Sequence, residues 1–323
     1  MSLHQDAIVV DGLIMADFGR EAFQAMKDGG LSAVNCTCCL WEDFPTTMKA
    51  VAQWKAWLAE HADLILQVHT TADIRRAKAE GKVGIILGWQ NTTGFGDYLP
   101  FVRLYKDLGL GVVQLTYNTA NTVGSGCYET HDGGLTDFGR ELVHEMNRVG
   151  ILVDLSHVGG KTADDAIRWS RKPVAYSHCL PSALKAHPRN KSDEQLRFIA
   201  DKGGFVGVTL FPPFLKNGPR STLDDVLEAI EHVLNLCGER QVGIGTDFTQ
   251  GHGDAFIAYA NRDKGHARSL TRFGDVTMPE GMRRIEDWPN LTAAMERRGW
   301  KEERIRRVIG ENWMRVLEEV WGA

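Results

Sequence analysis

No stretch of the sequence approaches the roughly 20 consecutive apolar residues that a bilayer-spanning helix needs, which excludes that mode of membrane insertion. A surplus of positive charge is missing too. Lys and Arg number 37 against 42 Asp and Glu, a formal net charge of −5, whereas nucleic acid and anionic membrane surfaces select concentrated cations. The opening MSLHQDAIVVDG lacks the basic start and long apolar core of a secretion signal, so the expected compartment is the cytoplasm. Cysteine is sparse and mostly scattered, at Cys36, Cys38, Cys39, Cys127, Cys179 and Cys237. In a reducing compartment that usage predicts free thiols rather than disulfides. The one cluster, Cys-x-Cys-Cys at 36–39, has no second half at zinc-finger spacing.

What the chain does have is alternation. Short β-branched apolar runs are separated by amphipathic stretches, the pattern of repeated βα units around a parallel sheet. Eight strands are predicted at 7–14, 31–37, 83–89, 111–118, 151–157, 173–178, 204–211 and 242–248, with an extra strand at 62–71. The fold class expected is α/β, a (β/α)8 TIM-like barrel occupying residues 1–323 as one domain. In STLDDVLEAIEHVLNLCGE, Thr222 caps a helix, Asp225 completes a capping box, and Leu223, Val226, Leu227, Ile230, Val233 and Leu234 recur at helical spacing. DFGRELVHEMNRVG repeats the pattern, with Gly150 as its C-cap and His144 as an ordinary helical histidine. Residues 249–282 form an insertion longer than a normal connection, expected to act as a lid or substrate-facing loop. The tail reads as two or three short helices closing the barrel.

Two histidines carry the strongest chemical signal. His157, in ILVDLSH, and His178, in KPVAYSH, end consecutive strands, and a barrel places catalytic and metal-binding groups at that end. Neighbouring imidazoles there can supply two nitrogens to one divalent cation. Asp247 ends the eighth strand in VGIGTDF, where a carboxylate can take a proton from water and return it to a leaving amine. Arg189, in HPRNKSDE, offers the forked donors that suit a substrate carboxylate. Asn118, beside Tyr117 in QLTYN, is a second candidate for substrate binding.

These segments, with GGLTDFGRELVHEMNRVGILVDLSHV, resemble the renal or membrane dipeptidases (peptidase family M19), zinc peptidases of the amidohydrolase superfamily. The resemblance runs over nearly the whole chain. It implies that His157 and His178 hold the second zinc of the family's pair, that Arg189 binds the substrate carboxylate and that Asp247 shuttles the proton. It also implies a homodimer. The departures are as specific as the matches. Where the family has a His-x-Asp pair after its first DG, this chain has Leu13 and Met15. Gln90, in LGWQNTTG, stands at the position of the bridging glutamate and makes only a weak metal ligand. Tyr117 replaces the histidine that polarises the scissile carbonyl, and its hydroxyl can still donate to an oxyanion.

The losses remove the first metal and spare the second, so the expectation is a single-zinc hydrolase acting on a dipeptide or related small amide with a free carboxylate. Cys36 is a speculative further ligand, with Cys127 and Glu129 in GSGCYETHDGG as others. The alternative is a metal-free or non-hydrolytic barrel that binds a small carboxylated or amine-bearing metabolite, with Leu13 and Met15 forming an apolar patch.

Overall fold

A computed structural model describes residues 2–262 and 276–322. Nine parallel strands form one sheet: β1 (Val10–Ile14), β2 (Ala33–Thr37), β3 (Ile65–Gln67), β4 (Val83–Trp89), β5 (Leu110–Gln114), β6 (Leu152–Asp154), β7 (Ala175–Cys179), β8 (Phe205–Val208) and β9 (Val242–Ile244). Their order is β1-β2-β4-β5-β6-β7-β8-β9, and β3 pairs with β4 off that path, as the extra strand expected at 62–71. The ring closes just beyond the regular ladder. Asp247 N–H donates to Leu13 O at 2.9 Å, Met15 N–H donates to Phe248 O at 2.8 Å, and Ile14 bridges Phe248 in parallel. The result is the TIM-like barrel of eight parallel strands with alternating helices.

Four of the eight expected strands stop earlier than their apolar runs. The expected strand 151–157 ends at Asp154, and 111–118 ends at Gln114. The reason is local competition for backbone hydrogen bonds. The Asp154 carboxylate accepts from Ser156 N–H at 3.1 Å and Ser177 N–H at 2.9 Å, while Gln114 Oε1 accepts from His157 N–H at 3.0 Å. The side chains turn the chain out of the ladder, and residues read as strand become the rim of the barrel.

The opposite end of the barrel is plugged from the C-terminus. Trp313, on the helix Asn312–Trp321, packs among Val10, Ala33, Leu152, Ala175 and Phe205, each the first residue of its strand, and Val112 in the middle of β5. Its indole N–H donates to Ile244 O at 2.8 Å. A Cβ on Gly12 would come within 2.2 Å of that ring, so only glycine lets β1 pass.

The helices follow the sequence closely. Leu223–Cys237 starts at Thr222, where the capping box with Asp225 forms, and Asp137–Val149 ends at Gly150 in the left-handed conformation, φ 80°. Trp288–Arg297 and Glu302–Arg306, the latter running through Arg307–Glu311 into Asn312–Trp321, are the closing helices. Within the insertion, Asp254–Ala260 forms a short helix, and positions 263–275 lie outside the described residues. Among the described residues no helix is long and apolar enough to cross a membrane.

Candidate active site

His178 lies within β7 and His157 three residues past β6, and their Nε2 atoms face each other at 3.0 Å. Both rings are fixed from behind. The Nδ1–H of His157 donates to Asn118 Oδ1 at 2.6 Å. His178 Nδ1–H donates to Ser177 Oγ at 2.7 Å, and that hydroxyl donates onward to Asp154 Oδ2 at 2.5 Å. With each Nδ1 carrying the proton, both Nε2 lone pairs converge on one point. Burial holds both imidazoles well below their usual pKa, with the nearby Arg189 guanidinium adding to it, so they are neutral donors. Two neutral nitrogens this close repel, and both are of the kind that would hold a divalent cation, which would supply Lewis acidity there. Among the described residues no group of three or more His, Cys, Asp and Glu is arranged around a common point.

Asp247 is the candidate proton carrier. It is 7% exposed, lines the same small cavity as His157, and is pushed up to about 7 by burial, with Asp11 and Asp154 adding to the rise and Arg189 opposing it. A carboxyl that titrates near neutrality can both accept and release a proton. Asp247 (φ 62°) and Asn118 (φ 63°) are the non-glycine residues with positive φ among those described. Both sit in the site, where strained backbone of about 1–3 kcal/mol per residue is tolerated because surrounding structure holds it.

Tyr117 stacks on the His157 ring, centroids 4.3 Å apart, and meets Trp41 edge-on at 5.1 Å. Burial drives its phenol above the ordinary range, so it remains a hydrogen-bond donor. Arg189 is fully buried and forms no ion pair among the described residues. Its guanidinium donates to Ser156 O and, at 3.3 Å, to His178 O, lies 5.2 Å over Phe214, and leaves Nε without a partner. Asn118, expected to touch substrate, accepts from His157 through its oxygen and leaves Nδ2 buried and unpaired.

The other expected ligands fare differently. Gln90 is 1% exposed and lines the cavity; Nε2 donates to Thr37 Oγ1 at 3.0 Å and contacts the Met15 sulfur, while Oε1 has no partner. Cys36 is buried in the apolar core with its thiol pushed well up by burial, so it stays protonated. Cys127 Sγ lies 3.9 Å from Asn118 Oδ1, and Glu129 accepts from Ala120 N–H at 2.9 Å. None of these three joins the histidines in a ligand cluster.

Several members of the site were not singled out from the sequence. Ser177 and Asp154 stand behind His178, and the serine preceding each histidine in VDLSH and AYSH is the only local trace of that network. Lys191 is a second buried cation, 2% exposed, donating to Val158 O at 3.0 Å and brought down to about 8 by burial and Arg189. Phe256, Ile257 and Ala260 of the helix Asp254–Ala260 close the cavity to about 20 Å3, room for about one water molecule. That helix is fastened by Tyr259, whose hydroxyl donates to Glu42 and whose carbonyl accepts from the Trp41 indole at 3.2 Å.

Comparisons with known proteins identify the family and the fold. The family model described as membrane dipeptidase (peptidase family M19) matches residues 16–259 and 271–322. An amidohydrolase from Pseudomonas aeruginosa is 56% identical, with 99% of this chain and 98% of that chain covered and a TM-score of 0.98. A metallo peptidase from Rhodobacter sphaeroides, solved with a phosphinate mimic of the dipeptide L-Ala-D-Ala, is 25% identical over 98% of this chain and 100% of its own, with a TM-score of 0.82. The dipeptidase AC, at 24% identity, 98% and 99% coverage and a TM-score of 0.83, shares the fold. With the family model matching nearly its whole length, the chain belongs to the membrane dipeptidase family, peptidase family M19.

Proposed function

We propose that this protein hydrolyses the amide bond of a dipeptide or a similarly small amide bearing a free carboxylate, using a single divalent metal ion, zinc, held by His157 and His178. The observation that carries this reading is the pair of Nε2 lone pairs converging at 3.0 Å with both Nδ1 protons committed elsewhere. A cation bound there supplies Lewis acidity, polarising a carbonyl and making a water more acidic.

The chain's own groups do the remainder. Asp247, near neutrality in its titration, removes a proton from water as general base and delivers it to the departing amine nitrogen as general acid. The Tyr117 hydroxyl donates to the oxyanion that forms at the carbonyl oxygen. The buried Arg189 guanidinium, whose charge no carboxylate of the described residues neutralises in an ion pair, attracts the substrate carboxylate and sets its orientation. Phe256 and Ile257 exclude bulk water once the substrate is in place. Leu13 and Met15, both buried, leave no donors for a first metal beside the histidine pair. A second reading, a barrel that binds a small metabolite without metal, rests on the same two residues.

Metal analysis of protein purified without chelators or a metal-binding tag separates the two. The hydrolase reading expects about one zinc per chain, lost in the His157→Ala, His178→Ala double variant, and dipeptide hydrolysis that falls by about 100-fold or more in Asp247→Asn. Protein that takes up no metal even from added zinc abolishes this reading in favour of the second.

A further inference from the structure

A second cavity opens beside the catalytic one. It measures about 370 Å3, within the about 300–1,000 Å3 of ordinary ligand sites, against about 20 Å3 at the centre. Met15 and Phe256 line both, so they form the partition between them. The side cavity's walls are aromatic, from Phe18, Trp54, Trp57, Phe256 and Tyr259, and among the described residues that line it the charged ones are Asp17 and Glu42, with no Lys or Arg, while the exposed Arg262 lies 4.3 Å over the Tyr259 ring. Glu42 is held in place: its Oε2 accepts from Leu40 N–H at 2.5 Å and Trp41 N–H at 2.9 Å, and its Oε1 from the Tyr259 hydroxyl. His252, also on the wall, is kept below its usual pKa by burial and adds no positive charge.

The placement of charge around the barrel gives this cavity a direction. Its carboxylates lie on the segments following β1 and β2, with His252, Phe256 and Tyr259 coming from beyond β9, whereas Arg189 and Lys191 follow β7, four places round the ring of eight from β2. Acceptors thus collect on one side of the mouth and buried cations on the other. Gln90, on the β4 side, adds an independent sign, because its buried Oε1 lacks any partner and lines the central cavity next to the Met15 partition. An unsatisfied buried acceptor of this kind is completed by an N–H from a ligand.

We infer that the aromatic side cavity is the binding site for the amine-bearing end of the substrate, taking an apolar or aromatic group whose ammonium is drawn to the Glu42 side. A zwitterionic substrate then lies across the mouth with its ammonium toward β1 and β2 and its carboxylate toward β7, and the scissile bond falls between. That last placement rests on the hydrolase reading, while the amine site itself does not. Aromatic faces and a fixed carboxylate both favour a cation over an anion of the same shape.

The test compares 2-phenylethylamine with 3-phenylpropionate by calorimetry on the full-length protein. The expected result is that the amine binds about tenfold tighter or better, that Glu42→Gln brings the two to near parity, and that Trp57→Ala weakens the amine by a similar factor. The His157→Ala, His178→Ala variant retains amine binding if the amine occupies the side cavity. Loss of binding in that variant places the amine on the histidine-held metal and overturns the inference, as does parity in the wild type or failure of both compounds to bind. None of these readouts measures hydrolysis or metal content, so a hydrolase reading that fails leaves this result standing, and the reverse.

Discussion

Ser177 stands between a carboxylate and an imidazole, and its single hydroxyl proton decides which nitrogen of His178 is free. Because that proton goes to Asp154 Oδ2, the oxygen accepts from Nδ1–H and Nε2 is left as a donor to a cation. Partners of this kind behind a metal-binding histidine are worth about 10–100-fold in affinity. Ser177→Ala is therefore expected to weaken zinc binding by about that factor, with Ser177→Thr restoring most of it. Equal zinc affinity in wild type and Ser177→Ala, measured by competition with a chelating dye, refutes the relay. At this scale His157, His178 and Asp247 were legible because imidazole and carboxylate at the ends of apolar runs have few other uses. Asp154, Ser177 and Lys191 were not, because their roles are directions of hydrogen bonds between segments far apart in sequence.

Helices proved more legible than strand ends. The segment Asp137–Val149 carries its stop signal in Gly150, which adopts φ 80° and whose N–H donates to Met146 O at 3.0 Å. A Cβ there would also lie 3.0 Å from Trp321 O. Gly150→Ala is expected to cost about 1–2 kcal/mol through the left-handed conformation alone, read as a lower denaturant midpoint with an unchanged slope. No change in midpoint rules out that conformation as the helix's terminator. The strands extended too far on paper because apolar residues such as Leu115 and Leu155 continue past the point where Gln114 and Asp154 capture the following N–H groups. The helix Asp254–Ala260 was expected only as part of an insertion over the site. Its closing role follows from Phe256, Ile257 and Ala260 reaching the cavity from beyond β9.

For the molecule as a whole, stability is coupled to pH through buried cations as well as acids. Lys106 donates to Gly150 O at 2.7 Å and lies 5.5 Å over Trp321, and burial with the nearby Lys172 brings it down to about 8. A base whose folded pKa is depressed contributes stability that is present above its unfolded value of about 10.5 and lost as pH falls through about 8. The wild type is therefore expected to gain stability relative to Lys106→Met as pH rises from 8 to 10.5, followed by denaturant unfolding of both proteins. A constant difference across that range removes Lys106 from the coupling.

The sequence by itself determined the class of fold, the capped helices and the three polar residues His157, His178 and Asp247, because periodicity, capping and residue chemistry are local properties. It also showed, at Leu13, Met15, Gln90 and Tyr117, where this chain departs from the family pattern. Only the tertiary structure decided that the two Nε2 atoms face each other, that Asn118 accepts from His157, that Arg189 and Lys191 are buried together, and that an aromatic cavity adjoins the centre. Those features arise where the ends of different strands and a distant helix meet, and burial there sets the direction of each lone pair and the charge state of each group.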